Sequence, residues 1–253
     1  MSICKVLLCS LGFAVSITCR SAEIKADDTL ALAPSATEIL ARAAQVYRDL
    51  SSYRDEGSVE SVFESVDGGH KGELRFTTAF ARSGTFRFEF LDHPMPSMET
   101  KYVVWKDGRN VKSWSTLSQD VQLHEDIGYA IAGATGVSAN TAYTIPSVLM
   151  SDAAWKVRTW TTPEGAYRIA DASEGGTACF RIQRLTSVAA QNFGGYQISA
   201  TKGKATAWVA KDTYLLMRVD DETDFGKFFT RRTTRYKPTI NTEIPAAAFE
   251  FGH

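Results

Sequence analysis

From Gly84 to Asp92 the chain reads GTFRFEFLD, with Phe86, Phe88 and Phe90 alternating with Thr85, Arg87 and Glu89. A strand has a side-chain period of two, so the phenylalanines face one side and the polar residues the other. The same alternation recurs along most of the chain, as in Leu74, Phe76, Thr78 and Phe80. A large sheet with one apolar face must have that face covered. What lies over it is either a permanent core or a cavity for an apolar ligand.

The turns between the apolar runs are short. Asp67-Gly68-Gly69, Ala81 to Gly84, Asp107-Gly108 and Lys211-Asp212-Thr213 each separate two alternating segments, which predicts hairpins and an antiparallel sheet. Strands are expected from Tyr53 onward, in the hairpin from Lys101 to Ser115, and again over 155–160, 167–170, 177–185, 196–209, 214–221 and 227–237. Pro94 and Pro96 in HPMPSM argue against an interior strand over 93–98. One helix precedes the strands. Ser35 and Glu38 have capping-box spacing, and Ile39, Leu40, Ala43, Ala44, Tyr47 and Leu50 follow as one apolar stripe. A second helical region interrupts the strands over 118–152. There Leu123, Ile127, Ala130 and Ile131 have helical spacing, Gly133 and Gly136 predict a hinge, and Pro146 marks a further break. The fold class is therefore α+β, mostly β: about ten or eleven antiparallel strands, an N-terminal helix and a mid-chain helical insert.

The leader is equally readable. Lys5 precedes an apolar run from Val6 to Ile17, the length of a signal-peptide core and too short to span a bilayer. Cleavage after Ser21 divides the chain into a signal peptide (1–21), a lead-in (22–33) and one domain (34–253), and predicts export to the periplasm. Ser16-Ile17-Thr18-Cys19 is a poor lipobox, so an outer-membrane lipoprotein acylated at Cys19 is the less favoured form. Cys4, Cys9 and Cys19 all lie in the leader, leaving Cys179 without a disulfide partner and read as a small buried hydrophobe. Net charge is −1, and no basic excess suggests nucleic-acid binding.

Catalytic patterns are incomplete. The four histidines, His70, His93, His124 and His253, lack metal-ligand spacing, and His124 is read as a solvated residue at a helix. Gly136-Val137-Ser138-Ala139-Asn140 ends in Asn where a nucleophile elbow needs Gly, so Ser138 is read as a helix N-cap. The acidic run Asp220, Asp221, Glu222, Asp224 and the basic set Arg231, Arg232, Arg235, Lys237 read as solvated strand positions. No enzyme, cofactor or metal is expected.

Several segments in order resemble the periplasmic lipoprotein-carrier superfamily, the LolA/LolB-like proteins. GELRFTTAFARSGTFRFEF (72–90) is similar to the family's paired strands, and YVVWKDGRNVKSW (102–114) to its next hairpin. Residues 132–150 resemble its helical lid. AWVAKDTYLLMRV (207–219) and YKPTINTEIPAAAFEF (236–251) resemble its closing segments. The likeness spans most of residues 35–251. It implies an unclosed half-barrel with helices over the concave face and a cavity for lipid or lipoprotein acyl chains. Leu74, Phe76, Phe86, Phe88, Phe90, Val104, Ile127 and Leu149 would line that cavity. It also implies a lid-latching arginine at Arg82, although the family's following proline is Ser83 here. A monomer with an inner- or outer-membrane protein partner fits the same likeness. The alternative within the superfamily is an envelope sensor that regulates a membrane partner.

Overall fold

The computed structural model describes residues 33–95, 98–150, 159–189, 191–193, 196–198 and 200–251. The leader, Cys19, nearly all of the lead-in, the centre of HPMPSM and most of the expected 155–160 strand lie outside these residues.

The chain enters through α1, Ala36–Asp49. The capping box forms: the Glu38 N–H donates to Ser35 Oγ at 3.3 Å, and the Ser35 N–H donates to Glu38 Oε2 at 2.7 Å. Ile39, Leu40, Ala43 and Tyr47 are buried along the expected stripe. Six strands follow: β1 (Ser52–Ser65), β2 (Gly68–Ala81), β3 (Thr85–Met95), β4 (Met98–Asp107), β5 (Asn110–Ser115) and β6 (Gln122–His124). Next come α2 (Ile127–Val137), a 3₁₀ turn at Thr141–Tyr143 and α3 (Ile145–Leu149). The second strand series is β7 (Ala166–Glu174), β8 (Thr177–Val188), β9 (Gln191–Phe193), β10 (Tyr196–Ile198), β11 (Thr201–Ala210), β12 (Leu216–Asp224), β13 (Phe228–Arg235) and β14 (Thr239–Ile240).

Twelve strands form one sheet in the order β6-β5-β4-β3-β2-β1-β13-β12-β11-β8-β7, with β14 paired to β1. Every pairing in it is antiparallel. The β1–β13 ladder, from Ser58↔Arg235 to Ser65↔Phe228, joins the two strand series. The end strands β6 and β7 do not pair with each other, so the barrel is unclosed. The predicted mostly-β half-barrel with an N-terminal helix and a mid-chain helical insert is the observed architecture.

Local differences have physical causes. Leu123 lies in β6, not in a helix, and is 77% exposed; in a three-residue edge strand, burial does not enforce alternation. His124 is accordingly a strand residue, and its Nε2 lies 2.8 Å from Ser113 Oγ. Gly133 and Gly136 lie inside α2 and form no hinge. A Cβ at Gly133 would come within 3.2 Å of the Tyr102 hydroxyl, so the position needs a small residue for close helix–strand approach. Pro146 begins α3, where its missing N–H costs nothing. Ser138 is the C-cap residue of α2 and accepts from the Ala142 N–H at 3.2 Å, so it is not an N-cap. β3 runs on through Pro94 to Met95, but its pairing with β2 stops at Asp92, and Met95 pairs only with β4. Pro94 thus falls where the strand is an edge. The expected 196–209 strand is split between β10, in a separate ribbon, and β11.

The acidic and basic strand positions are more organised than a solvated face. Asp220 accepts from the Trp208 indole at 2.8 Å, from Arg218 at 2.8 Å and from Thr233 at 3.0 Å. Arg235 donates to Glu174 and Glu60. Burial raises the Asp221 carboxyl above its ordinary value.

Candidate ligand-binding face

One face of the sheet carries the apolar alternation. Phe86, Phe88 and Phe90 on β3 are at most 1% exposed. Phe88 stands opposite Thr78 and Val104, and Phe90 opposite Phe76 and Tyr102. Phe76, Val104, Ile127 on α2 and Leu149 on α3 are also buried, and Leu74 is half-buried at the margin. All eight expected lining residues therefore belong to, or pack on, one apolar cluster with Ile39, Leu40, Ala43 and Tyr47 of α1. The three helices cover this face, and side chains fill the space beneath them. The Phe76 ring lies over Gly57, where a Cβ would collide with its tip. Phe76 in turn packs against Phe88 and Tyr236, with ring centroids 6.3 and 5.5 Å away.

Open space begins at the edge of the cluster. A cavity of about 400 Å³ reaches Leu74 and is bounded by Phe63, His70, Arg232, Val137 and Ala139, next to the C-terminal end of α2. A cavity of about 680 Å³ near Leu215, Tyr236 and Thr177 contains none of the expected lining residues. The first meets the apolar cluster at Leu74, and the second meets it at Leu215 and Tyr236.

Arg82 projects from the turn between β2 and β3. Its Nε donates to the Leu50 carbonyl at 3.1 Å, and its Nη2 donates to the carbonyls of Tyr47 and Arg48 at 2.9 and 2.7 Å. Its guanidinium also sits 4.7 Å from the centre of the Phe80 ring. These carbonyls end α1, where the helix carries partial negative charge. The contact is thus with α1 and not with the mid-chain helices. The topology explains this: α1 ends just before β1, and Ser52 pairs with Ala81, which places the helix end beside the β2–β3 turn.

A polar group beneath the helices was not anticipated. Asp55, 1% exposed, accepts from the Tyr53 hydroxyl at 2.7 Å. Its other oxygen, and Oγ1 of the facing Thr78, lack a hydrogen-bond partner among the described residues. Burial pushes the Asp55 carboxyl up to about 6, against the stabilising pull of the Tyr53 hydroxyl. Nearby, Tyr47 accepts from the Leu216 N–H at 3.1 Å, and Tyr236 donates to Thr144 at 2.7 Å, tying α3 to the sheet. Burial raises both phenols. The signal for this group was present: Tyr53, Asp55, Gly57 and Val59 alternate onto the apolar face. Asp55 nonetheless reads as solvated because Arg54 and Glu56 flank it.

Cys179 is buried, as expected, and burial raises its thiol. Among the described residues no helix is long and apolar enough to cross a membrane, and no three His, Cys, Asp or Glu side chains are grouped to hold a metal ion.

No family model matches the chain, and neither does any curated protein. Similar solved structures do exist. LprF from Mycobacterium bovis aligns with a TM-score of 0.44 at 12% identity, over 83% of this chain and 94% of that one. The Pseudomonas aeruginosa MucA/MucB complex gives 0.43 at 12% identity, over 86% of this chain and 61% of that one. A LolA superfamily protein from Nitrosomonas europaea gives 0.32 at 10% identity, over 86% and 98%. That last description names the superfamily the sequence resembles.

Proposed function

We propose that the protein is a non-catalytic periplasmic carrier that binds acyl chains of lipids or lipoproteins between the apolar sheet face and the helices. One observation carries this reading: among the described residues, helices and not a second sheet lie over the apolar face of a twelve-stranded open sheet. Moving a helix aside breaks no strand pairing. The ladder stays intact while the apolar face is exchanged from helix side chains to ligand methylenes. Each buried CH₂ contributes about 0.8 kcal/mol, so a long acyl chain offsets the lost helix contacts. Leu74, Phe76, Phe86, Phe88, Phe90 and Val104 form the floor in this reading, Ile127 on α2 and Leu149 on α3 belong to the cover, and Arg82 fastens α1.

Native mass spectrometry of protein purified from its own periplasm without detergent tests the proposal. Adducts that dissociate as acyl lipids or lipoproteins support it and identify the cargo. A clean apo mass, unchanged after incubation with lipid, makes the apolar face a closed core. A stoichiometric protein adduct without lipid favours the sensor alternative.

A further inference from the structure

The apolar face of the sheet gives way to a polar row before its strands end. Thr234, Val59 and Leu74 stand side by side on β13, β1 and β2, and two residues along, on the same face, stand Arg232, Ser61 and Gly72. This second row is low. A Cβ at Gly72 would come within 3.0 Å of Ser61 Oγ, which donates to the Gly72 carbonyl at 3.3 Å. Beyond it the Phe63 ring stacks on His70 at 5.2 Å and packs against Phe228 at 5.1 Å. The cavity of about 400 Å³ lies over this row, with Leu74 on one side, Phe63 on the other, and Val137 and Ala139 at the end of α2 across from it. Leu74 packs on the buried apolar cluster, so the polar space and the apolar floor meet there.

Arg232 is the group whose bonding capacity is unspent. It is half-buried and lines the cavity, yet it makes no hydrogen bond or ion pair with any described residue. The other arginines of β13 are engaged: Arg231 lies 3.9 Å from Glu222, and Arg235 binds Glu174 and Glu60. The acid opposite Arg232 in the ladder is Asp221 on β12. Burial raises the Asp221 carboxyl, and Arg232 pulls it back only in part, as charges do that feel each other beyond ion-pair contact. A half-buried guanidinium with idle donors gives up hydration without recovering it. Its planar fork of N–H groups matches a carboxylate or a phosphate. Asp92, the acid that lines this cavity, is on β3, with β2 and β1 between it and β13. It therefore keeps an anion to the Arg232 side, where Lys71 adds a second cation at the exposed rim.

We infer that this cavity receives the polar end of an anionic amphiphile, a carboxylate or phosphate held by Arg232, while the attached acyl chain runs over Leu74 onto the floor at Phe76 and Phe88. The inference rests on the carrier reading and adds to it the chemical class of the ligand.

Displacement of a bound neutral fluorescent lipid probe by an alkyl carboxylate, an alkyl phosphate and the corresponding alcohol, all of one chain length, tests it. The alcohol reports chain binding and the folding of each variant, and each anion is read relative to it. Arg232→Gln should weaken the anions against the alcohol by about tenfold, the loss expected for hydrogen bonds from a charged donor. Asp221→Asn removes the competing carboxylate and should strengthen them. The two anions tell a fatty acid from a phospholipid headgroup. An anion-to-alcohol ratio that Arg232→Gln leaves unchanged overturns the inference. So does a ratio that Asp221→Asn lowers, because Arg232 and Asp221 are then a structural pair and not a ligand site. In both cases the alcohol still binds, and the carrier reading stands. A protein that binds none of the three chains overturns both.

Discussion

Asp55 offers the sharpest quantitative test of the buried face. Burial lifts its carboxyl from the ordinary 3.8 to about 6, a difference worth roughly 3 kcal/mol between the two protonation states. The folded protein therefore keeps a proton on Asp55 over a range in which the unfolded chain has released it. Between about pH 4 and pH 6 the native state binds more protons, so this residue's contribution to stability falls as pH rises. The penalty is absent below the unfolded value and complete above the folded one. Asp55→Asn keeps the shape and still accepts from the Tyr53 hydroxyl, but it cannot ionise. Urea unfolding of both proteins from pH 4 to pH 8 isolates the effect, because all other titrating groups are shared. The variant should match the wild type within about 1 kcal/mol at pH 4 and gain about 2–3 kcal/mol on it by pH 7.5. A stability difference constant to about 0.5 kcal/mol across the range would refute the reasoning, since it would mean that Asp55 is solvated or paired in both of its states.

Two further substitutions probe the same face. Gly57→Ala should destabilise by about 1–3 kcal/mol in thermal or urea unfolding, because the new Cβ meets a Phe76 ring that Phe88 and Tyr236 prevent from yielding. Shortening Phe76 to Leu in the same chain should recover part of that loss, and strictly additive losses would count against the contact. Arg82→Leu removes all three hydrogen bonds to the end of α1. It should slow release of a bound fluorescent fatty acid to acceptor vesicles about tenfold, equivalent to about 1.4 kcal/mol of lost closed-state preference, and release kinetics equal to wild type would reject the fastening role.

Those features of the fold that repeat a period over several residues were readable in advance. The β3 phenylalanines could be placed because a two-residue period with one buried face leaves a single choice of register. Helix α1 could be placed because its capping box and its stripe agree. The misread positions are those where a local signal has two physical meanings. A glycine marks a hinge or a close helix–strand contact, and Gly133 is the latter because Tyr102 lies beneath it. A proline ends a helix or begins one, and Pro146 begins α3. Asp55 sits between two charged neighbours, so its burial is visible only once β1 is seen paired on both sides and covered by helices. Arg82 was singled out through a resemblance, but its partner is set by the β1–β2 register, which one sequence does not reveal.

That partner makes α1 the helix at which the proposed carrier is held closed. Helix α1 is tied at both ends by arginines from different halves of the sheet. At its start, Arg168 on β7 donates to the Pro34 carbonyl at 3.0 Å, and at its end Arg82 binds three carbonyls from the β2–β3 turn. In between, the Tyr47 hydroxyl accepts from the backbone of β12. The helix thus links the β7 edge to the β2–β3 hairpin. Hydrogen bonds from a charged donor contribute about 1.5–3 kcal/mol each when shielded, and less where solvent reaches them, as it does at Arg82. In the proposed carrier, a chain entering over Phe86, Phe88 and Phe90 displaces the cover that α1 belongs to. Displacing α1 breaks these arginine ties but no strand pairing, because the helix takes no part in the ladders. The helices α2 and α3 also cover the floor, but of the three α1 is the one held at both ends by arginines, so in the proposed carrier its attachment is where closure and loading compete.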